Sequence, residues 1–339
     1  MLALRYYGID DCRLEDAEKP RVGLNDVLLR ITYAPVCGTD LAIIHGKIGA
    51  KPGVIMGHEY SGLVEDVGED VKNFRKDDRV IGSPAVSCGN CYFCRRNLTQ
   101  LCMRYSMFGQ EIDGSFSEYM LVPNPARVLC PTDMDMEVAS LVGDTLTTGY
   151  HAVERAEVKE GDTVAIFGAG PIGLATLIVT LTKNPKKVFV VAQRSSFRLK
   201  LAEELGADTI ISAAEENPVR RMLHETIIGL DAVIECSGAH AAMLNAFQVV
   251  RRGGRIIVVS IAPEVSVPMK NLMFSEHTVL GSSCPLGPEV LKKVLDFVRE
   301  NRLEDKLRKL ITHRFNLRDG VTALSYSDSP DRAKILIKP

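Results

Sequence analysis

The stretch DTVAIFGAGPIGLATLIVTLT, from Asp162 to Thr182, combines an apolar strand, a glycine-rich turn and an apolar helix. Gly168, Gly170 and Gly173 follow the spacing G-x-G-x-x-G, which allows a tight turn, close approach of the backbone to a pyrophosphate and close packing of helix on strand. A helix that begins near Pro171 would present its free N–H groups and the positive end of its dipole to phosphates. The flanking strand and helix favour dinucleotide binding over a purely local role for these glycines. The residues expected to bind it are Gly168, Gly170, Pro171, Ile172 and Gly173.

Strands and helices alternate from this stretch to about residue 275. The runs KVFVVAQ, DTIIS, DAVIECSG and GGRIIVVS are typical of buried strands, and SFRLKLAEELGA is typical of a helix. This α/β alternation predicts a Rossmann-type, doubly wound parallel sheet, placed at residues 148–279 as the dinucleotide-binding domain. A chain of 339 residues exceeds what one core usually covers. Residues 1–147, with their short β-like runs, and residues 280–339 are predicted to form an irregular β domain.

The end of the second strand bears on which dinucleotide binds. NAD-binding domains usually place Asp or Glu there, about 20 residues beyond the glycine turn, to accept hydrogen bonds from the ribose. Here Gln193 stands in that position, and Arg194 and Ser195 follow it. A carboxylate would repel a 2′-phosphate, whereas Arg can pair with it and Gln and Ser can donate hydrogen bonds to it. We therefore expect NADP, with NAD as the alternative, and interpret Arg198 as a solvated residue at a helix start.

Composition and charge argue against several classes of protein. The formal net charge is −2, the sequence pI is near 6.4 and no basic tract occurs, so we expect no nucleic-acid partner and no membrane partner. The N-terminus lacks the apolar run of a signal peptide, and no segment has about 18 consecutive apolar residues, which predicts a cytoplasmic protein. Nine cysteines, five of them scattered, do not form the pattern of a disulfide framework.

The other four cysteines are concentrated in SCGNCYFCRRNLTQLC, Ser87 to Cys102, here named the four-cysteine loop. Their spacing, C-x2-C-x2-C-x7-C, lets a compact loop direct four sulfur atoms at one centre, as in a tetrahedral zinc site. The loop is too polar for four unconnected core thiols. An iron–sulfur cluster is the main alternative, because clusters also take four thiolates at short spacing. A closed site with no open position favours structural zinc, with the ligands Cys88, Cys91, Cys94 and Cys102.

Two further segments, PVCGTD at 35–40 and MGHEYSG at 56–62, offer a second metal site. Cys37 and His58 lie in them on a turn-like, glycine-containing background, and thiolate and imidazole are usual ligands of a zinc that keeps one position open. Singly, Cys37 could be a core thiol and His58 a buried histidine. Their occurrence together with the four-cysteine loop and the Rossmann-type unit favours a catalytic zinc.

These motifs together resemble the zinc-dependent medium-chain dehydrogenase/reductase family, which includes alcohol, sorbitol and threonine dehydrogenases. The resemblance covers essentially the whole chain and includes DGSFSEY at 113–119 and TTGYHA at 147–152. It implies a GroES-like catalytic domain in which Cys37 and His58 bind the catalytic zinc. It also implies Asp144 as the third ligand, where polyol-type members more often have Glu, and Glu59 as an acid that can approach the catalytic zinc or replace water on it during exchange.

The same resemblance implies a reaction. Zinc would act as a Lewis acid on an alcohol oxygen, and the dinucleotide would accept hydride. Thr39 matches a hydroxyl that relays the alcohol proton, and Thr148 matches a nicotinamide contact, with a helix cap as an equal interpretation. Relatives often have His five residues after the ligand Cys to complete the relay. Ala42 stands there in this chain, and His45 is the nearby substitute, with an exposed polar role as the alternative.

The substrate implied is a small alcohol that is interconverted with its ketone. We expect a secondary alcohol in a polyol, sugar or sugar derivative, with NADP. The alternatives are a simple secondary-alcohol or threonine-type dehydrogenase that uses NAD, a zinc-free reductase, which would lack Cys37 and His58, and a cofactor-sensing regulator, which should lose its metal ligands. Relatives are commonly homodimers or homotetramers, often formed through the edge strand near GGRIIVVSIAPEVSV, so we expect a homo-oligomer.

Overall fold

The computed structural model describes residues 1–194, 196–261, 264–267, 269–327, 329 and 331–339. They form two compact units. The first comprises Met1–Thr147, Pro285–Ser329 and Lys334–Pro339, and the second comprises Thr148–Cys284 and Pro330–Ala333. No helix in these described ranges combines the length and apolar composition that a bilayer crossing requires.

The N-terminal part of the first unit consists of short strands joined by turns, with little helix. The strands are β1 (Leu2–Gly8), β2 (Asp11–Asp16), β3 (Asp26–Pro35), β4 (Val54–Ile55), β5 (Ser61–Val67), β6 (Arg79–Gly82), β7 (Ala85–Val86), β8 (Ser106–Met107), β9 (Tyr119–Pro123) and β10 (Leu129–Pro131). The helices are α1 (Gly38–Ile44) and α2 (Met136–Ala139), and 3₁₀ turns lie at Cys94–Arg96, Thr99–Leu101 and Pro125–Arg127. A π-helical turn, Val142–Leu146, closes this part.

The second unit alternates helices and strands, as its sequence predicts. Its elements are α3 (Thr147–Ala156), β11 (Thr163–Phe167), α4 (Pro171–Leu181), β12 (Lys187–Ala192), α5 (Ser196–Leu205), β13 (Thr209–Ser212), α6 (Pro218–Thr226), β14 (Leu230–Glu235), α7 (His240–Val249), β15 (Val250–Val258), α8 (Met269–Ser275) and β16 (Thr278–Gly281). The strands form one parallel sheet in the order β13-β12-β11-β14-β15-β16. This is the predicted doubly wound sheet, whose strand order reverses between β11 and β14, and ligands of such sheets bind at the carboxyl ends of the strands there.

The C-terminal segment returns to the first unit. It comprises α9 (Pro288–Glu300), α10 (Glu304–Arg308), β17 (Ile311–Asn316), α11 (Gly320–Tyr326) and β18 (Lys334–Lys338). β18 runs parallel to β17 and antiparallel to β3, with Leu336 opposite Pro35 and Ile337 opposite Ala34. The last strand of the chain therefore lies beside the end of β3, two residues before Cys37.

β3 organises the main sheet of the first unit, which has the order β10-β6-β5-β3-β18-β17. It pairs antiparallel with β5 and β9, and Leu29 lies opposite both Val64 and Met120. These three side chains belong to the hydrophobic core of the unit, together with Val27 and Ile31. The irregular β architecture and the parallel sheet confirm the predicted fold class.

Candidate active site and metal centres

Four possible metal ligands from distant parts of the sequence meet in the first unit. Cys37 immediately precedes α1, His58 and Glu59 lie between β4 and β5, and Asp144 lies in the π-helical turn, a backbone form that is frequent at functional sites. One ligand atom of each residue lies within 4.8 Å of all the others. We name these four residues the Cys37 cluster.

The distances within the Cys37 cluster suit a single ion. Sγ of Cys37 is 3.8 Å from Oδ2 of Asp144, and Nε2 of His58 is 3.5 Å from the same oxygen. A tetrahedral zinc with bonds of about 2.0–2.3 Å separates its ligand atoms by roughly 3.3–3.8 Å. Nε2 of His58 is also buried and makes no hydrogen bond to any described residue. A buried nitrogen that makes no hydrogen bond and lies beside a thiol and a carboxylate fits a metal ligand.

Asp40 holds His58 and Cys37 in place. One carboxylate oxygen of Asp40 lies 3.1 Å from Nδ1 of His58, and the other accepts the backbone N–H of Cys37 at 2.8 Å. Burial opposes protonation of His58, yet Asp40 and Asp144 raise the pKa of its imidazole well above the usual value. The cluster thus attracts positive charge. Asp40 also fixes which ring nitrogen of His58 faces the other ligands, as carboxylate partners of metal-binding histidines do.

Glu59 has its own hydrogen-bond partners, Lys334 and Thr145. Nζ of Lys334 donates to Oε1 of Glu59 at 2.5 Å, and the hydroxyl of Thr145 lies 2.9 Å from Oε2 and 3.1 Å from Oε1. Burial raises the pKa of the Glu59 carboxyl above its usual value, and the positive charge of Lys334 offsets only part of this rise. Lys334 is itself 1% exposed. Burial lowers the pKa of its ammonium, but the negative charges of Glu59, Cys37 and Asp144 together raise it by more, so the pKa lies above its usual value.

Asp40, Thr145 and Lys334 are site residues that the sequence analysis did not identify. Asp40 was visible as the acid of CGTD, three residues beyond a ligand, a spacing that lets it accept the N–H of Cys37 at the helix start. Lys334 begins an apolar C-terminal strand, where a lysine is unusual unless it is paired. The partner itself lies 275 residues away, so no local pattern could name it.

The two residues predicted to relay a proton, Thr39 and His45, lie in different surroundings. Oγ1 of Thr39 is 3.9 Å from Sγ of Cys37, beside the cluster. His45 lies at the end of α1, where its Nδ1 is 2.9 Å from Oδ1 of Asp10 and its side chain is 39% exposed. The proton-relay role of either residue stays a prediction.

The four-cysteine loop forms a second, separate thiol centre. Sγ of Cys94 is 3.9 Å from that of Cys88 and 3.5 Å from that of Cys91, and all four sulfur atoms lie within 4.8 Å of one another. A tetrahedral zinc with four thiolates needs sulfur separations of about 3.8 Å. An iron–sulfur cluster binds its thiolates through different irons and therefore needs wider spacing, so the geometry favours a single ion. No disulfide bond joins the described cysteines.

Backbone groups prepare the four-cysteine loop for metal. The N–H groups of Cys94 and Met103 lower the pKa of Cys91 to about 6, whereas burial raises the pKa of Cys94 to about 12. Sγ of Cys102 accepts the backbone N–H of Cys88 at 3.2 Å. Thiolate is the form that binds metal, so these N–H groups favour the ligand state.

The glycine turn of the second unit has the form that its spacing predicts. Gly168 has φ +105°, and a Cβ on Gly173 would lie 1.8 Å from the carbonyl oxygen of Gly168. A Cβ on Gly170 would meet no described atom within 4 Å, so this residue borders open space at the start of α4. Pro171 and Ile172 form the first turn of α4. The turn therefore leaves the helix N-terminus accessible to a phosphate.

The candidate 2′-phosphate residues follow β12. Gln193 and Arg194 are exposed beyond its last residue, Ala192, and Ser195 lies outside the described residues. Arg198 was expected to be solvated at a helix start, and this was wrong. The side chain of Arg198 is partly buried, and its Nε donates to the carbonyl oxygen of Arg332 at 2.7 Å. Burial lowers the pKa of its guanidinium.

Glu235 and Thr148 are the remaining polar residues of interest in the second unit. Thr148 is buried near the start of α3. Glu235, which the sequence analysis missed, ends β14 and is fully buried. Its Oε1 accepts the N–H groups of Ser237 at 2.7 Å and Gly238 at 3.0 Å, and the hydroxyl of Ser260 donates to Oε2. Glu235 thereby fixes the loops after β14 and β15, at the edge of the sheet where a dinucleotide is expected.

Comparison with known proteins identifies the family. Residues 23–133 match the family model for the alcohol dehydrogenase GroES-like domain, and residues 171–300 match that for zinc-binding dehydrogenase. The chain is 32% identical to L-threonine 3-dehydrogenase of Thermococcus kodakarensis, over 89% of this chain and 87% of that protein. It is 31% identical to L-idonate 5-dehydrogenase of Vitis vinifera, over 91% and 86% of the two chains.

The chain belongs to the zinc-dependent medium-chain dehydrogenase family. The family resemblance drawn from the sequence is thus confirmed, and so are the GroES-like and Rossmann-type fold and the assignment as an enzyme that acts on small molecules.

Solved structures of dehydrogenases of this kind carry either dinucleotide. A zinc-binding dehydrogenase from Sinorhizobium meliloti 1021 bound to NADP has a TM-score of 0.91 and 27% identity, over 100% of this chain and 99% of that chain. An alcohol dehydrogenase from Escherichia coli CFT073 complexed with NADH has the same TM-score, identity and coverage. Similarity alone therefore does not decide between NADP and NAD for this member of the family.

Proposed function

We propose that this protein is a zinc-dependent oxidoreductase that interconverts a secondary alcohol, in a polyol, sugar or sugar derivative, with its ketone, and that it uses NADP. The observation that carries the proposal is the buried Cys37 cluster, in which thiolate, imidazole and carboxylate donors converge at the separations of a tetrahedral ion. The cluster has mixed ligands, as catalytic zinc sites commonly do, and the closed thiolate site lies elsewhere.

In this proposal each residue of the cluster has a defined part. Cys37, His58 and Asp144 would hold the zinc, and Glu59 would approach it or replace water on it during exchange. Asp40 orients the imidazole of His58. Zinc, when bound, supplies a Lewis acid at its open coordination position. The hydroxyl of Thr39 lies beside Cys37 and would relay the proton of the substrate hydroxyl, passing its own proton on to water as it accepts that one.

The second unit would bind the dinucleotide. The glycine turn and the N-terminus of α4 hold the pyrophosphate, and Gln193, Arg194 and Ser195 hold the 2′-phosphate, with Thr148 at the nicotinamide. A nicotinamide, when bound, accepts or returns the hydride. We accordingly assign residues 148–279 to cofactor binding and residues 1–147 with 280–339 to catalysis.

The structural zinc and the oligomer complete the proposal. Cys88, Cys91, Cys94 and Cys102 would hold the structural zinc, which stabilises the loop without taking part in the reaction. We also propose a homodimer or homotetramer that forms through the outer edge of the parallel sheet. The expectation that the GGRIIV run lies at the edge was wrong, because that run belongs to β15, which pairs with both β14 and β16. β16 is the last strand in the sheet order, and its Val279 is 40% exposed. An exposed apolar edge strand favours pairing with another chain.

The substrate class is supported by the relatives and tested by turnover. By their names, the Thermococcus kodakarensis relative acts at carbon 3 of L-threonine, and the Vitis vinifera relative acts at carbon 5 of L-idonate. Threonine oxidation is therefore the second candidate function. Initial rates would be measured with zinc-loaded protein on simple secondary alcohols, polyols, sugars, sugar acids and threonine, each with NADP and with NAD. Turnover of a polyhydroxylated compound with NADP is expected, and activity confined to threonine or to simple alcohols would contradict the substrate class.

The cofactor preference has its own test in Arg194. Replacing it with Ala should raise KM for NADP about tenfold to a hundredfold and leave KM for NAD nearly unchanged, because a charge-assisted hydrogen bond to the 2′-phosphate contributes roughly 1.5–3 kcal/mol. Arg194→Lys, which keeps the charge, should lose less. An equal change for both dinucleotides would mean that Arg194 does not contact the 2′-phosphate.

A further inference from the structure

A buried carboxylate in the second unit has no part in the function proposed above. Glu235 is the last residue of β14, and it is fully buried. A glutamate is almost never fully buried unless it is paired. In the described part of the chain, the partners of this carboxylate are backbone N–H groups and hydroxyls, and none of them is a cation. The second unit therefore contains a negative charge that no adjacent positive charge cancels.

The hydrogen bonds of Glu235 fit an ionised carboxyl group. The N–H groups of Ser237 and Gly238 donate to Oε1 at 2.7 and 3.0 Å, and the hydroxyl of Ser237 donates to the same oxygen. The hydroxyl of Ser260 donates to Oε2. An ionised carboxyl group only accepts hydrogen bonds, and here all four contacts are donated to it. These donors replace the water that a buried anion loses, and they leave its charge in place.

The loop that surrounds this carboxylate packs directly on the glycine turn. A Cβ on Gly168 would lie 2.9 Å from the backbone nitrogen of Ser237. The N–H of Cys236 donates to the carbonyl oxygen of Phe167, the residue before the turn, at 2.8 Å. The glycine turn is the segment expected to hold the pyrophosphate. Only one loop therefore separates the charge of Glu235 from the place where a dinucleotide is expected.

The topology puts Glu235 on the nicotinamide side of that place. A doubly wound sheet has two mononucleotide-binding halves, one on either side of the point where its strand order reverses. The candidate 2′-phosphate residues Gln193 and Arg194 follow β12, which makes β11, β12 and β13 the adenosine half. The strands β14, β15 and β16 are left for the nicotinamide nucleotide. Glu235 ends the first of them, and its carbonyl oxygen accepts the N–H of Val259, just after β15, at 2.9 Å.

The two redox states of a nicotinamide cofactor differ in charge. The oxidised ring is positively charged, and transfer of a hydride to it makes the ring neutral. A fixed anion nearby stabilises the first state and has little effect on the second. The charge of Glu235 can therefore act on the balance between the two states.

We propose that the buried charge of Glu235 makes the nicotinamide side of the cofactor site favour the oxidised, positively charged ring over an uncharged ring. The proposal rests on the proposed function, because it needs a nicotinamide dinucleotide in the second unit. Glu235 is enclosed by its own loops, so it acts through its charge and is not a catalytic residue.

The test compares the affinities of the two redox states, without any turnover. NADPH is titrated by its nicotinamide fluorescence, and NADP⁺ by its displacement of NADPH. Glu235→Gln removes the charge and keeps the shape, because the amide oxygen can accept both N–H groups and the amide nitrogen can donate to Ser260. Affinity for NADP⁺ should fall about tenfold, the effect of two unit charges roughly 10 Å apart at an effective dielectric constant of about 20. Affinity for NADPH should stay within about twofold, because the reduced ring is uncharged.

Two control variants separate charge from loop geometry. Ser260→Ala keeps the charge of Glu235 and removes one hydrogen bond, so it should change both affinities by the same factor. Glu203→Gln removes an equal charge from the exposed surface of α5, where water screens it, and should leave both affinities unchanged. If Ser260→Ala lowered the affinity for NADP⁺ alone, loop geometry would explain the effect and the proposal would be overturned.

An uncharged analogue gives a second measurement, which needs no variant. In this analogue a benzamide replaces the nicotinamide of the dinucleotide, so the ring stays flat but carries no charge. The unmodified protein should bind the oxidised dinucleotide about tenfold more tightly than the analogue. Equal affinities would overturn the proposal, even if Glu235→Gln did not fold.

The outcomes distinguish this proposal from the proposed function. If neither NADP⁺ and NADPH nor NAD⁺ and NADH bind, the proposed function fails, and the role of Glu235 fails with it. If only NAD⁺ and NADH bind, the NADP preference is wrong, and the same ratio is measured with that pair. If the dinucleotides bind and Glu235→Gln leaves the ratio of the two affinities unchanged, only the role of Glu235 is overturned.

Discussion

The first unit contains two metal-binding regions that are built in opposite ways. The four-cysteine loop takes all of its ligands from sixteen consecutive residues, uses only thiols and lies largely at the surface. The Cys37 cluster takes its ligands from three segments, uses three kinds of donor and is largely buried. The first arrangement is complete within itself, while the second depends on the fold around it.

The difference lies in the residues behind the ligands. In the four-cysteine loop, backbone N–H groups of the loop itself donate to the sulfur atoms of Cys91 and Cys102. In the Cys37 cluster, Asp40 and Lys334 bring a buried carboxylate and a buried ammonium to either side of the ligands. A site whose ligands come from one segment needs little more than the right spacing, whereas a site assembled from several segments also needs side chains that orient its ligands.

The largest expected effect comes from removing a ligand of the Cys37 cluster. Cys37→Ser should lower kcat/KM about a thousandfold or more, because the Lewis-acid contribution of zinc is several kcal/mol. Its zinc content should fall from two to one per chain by elemental analysis. NADPH binding, followed by nicotinamide fluorescence, should be unchanged, because the glycine turn belongs to the second unit. A parallel loss of NADPH affinity would contradict the separation of metal and cofactor sites.

Removing a ligand of the four-cysteine loop should affect stability instead. Cys94→Ser should also leave one zinc per chain, and it should lower the free energy of unfolding by several kcal/mol, since binding of a structural zinc contributes directly to folding. Urea unfolding of zinc-loaded protein, followed by circular dichroism, measures this change. The folded fraction should keep its kcat. If kcat fell as far as in Cys37→Ser while the protein remained folded, the loop would not be purely structural.

The two regions also show what sequence can and cannot reveal. The four-cysteine loop and the glycine turn were predicted residue by residue, because their function depends on spacing within one short segment. Cys37 and His58 were suggested by their residue types together with the four-cysteine loop and the Rossmann-type unit. Asp144 came only from the family resemblance, since no spacing joins residues that lie 21 and 86 positions apart. The partnership of Glu59 with Lys334 could not be predicted, because it depends on how β18 pairs with β3.

A variant of Asp40 tests whether the carboxylate that contacts Nδ1 of His58 matters for metal binding. Asp40→Asn should weaken zinc binding by the Cys37 cluster about tenfold to a hundredfold, the usual cost of losing a carboxylate behind a metal-bound histidine. If the amide nitrogen of Asn faced Nδ1 of His58, it would favour the tautomer with the proton on Nε2, which cannot bind metal. Chelator titration measures the affinity.

A matched control for Asp40 exists at the surface. Asp10→Asn changes the carboxylate paired with His45, an exposed histidine outside the cluster, and should leave zinc affinity unchanged. Equal losses in the two variants would show that the effect comes from net charge and not from the orientation of His58. A change in the pH profile of kcat in Asp10→Asn alone would instead support a relay role for His45.

The smallest expected effect concerns how the four-cysteine loop is attached to its unit. The hydroxyl of Thr99 donates to the carbonyl oxygen of Leu286 at 2.6 Å and accepts the N–H of the same residue at 3.2 Å. Thr99→Val leaves both backbone groups without this partner and should lower the free energy of unfolding by about 1–2 kcal/mol. Thr99→Ser keeps the hydroxyl and should lose much less. Because none of the four thiols is altered, zinc content should remain two per chain, and a loss of zinc would show that the loop depends on its surroundings as the Cys37 cluster does.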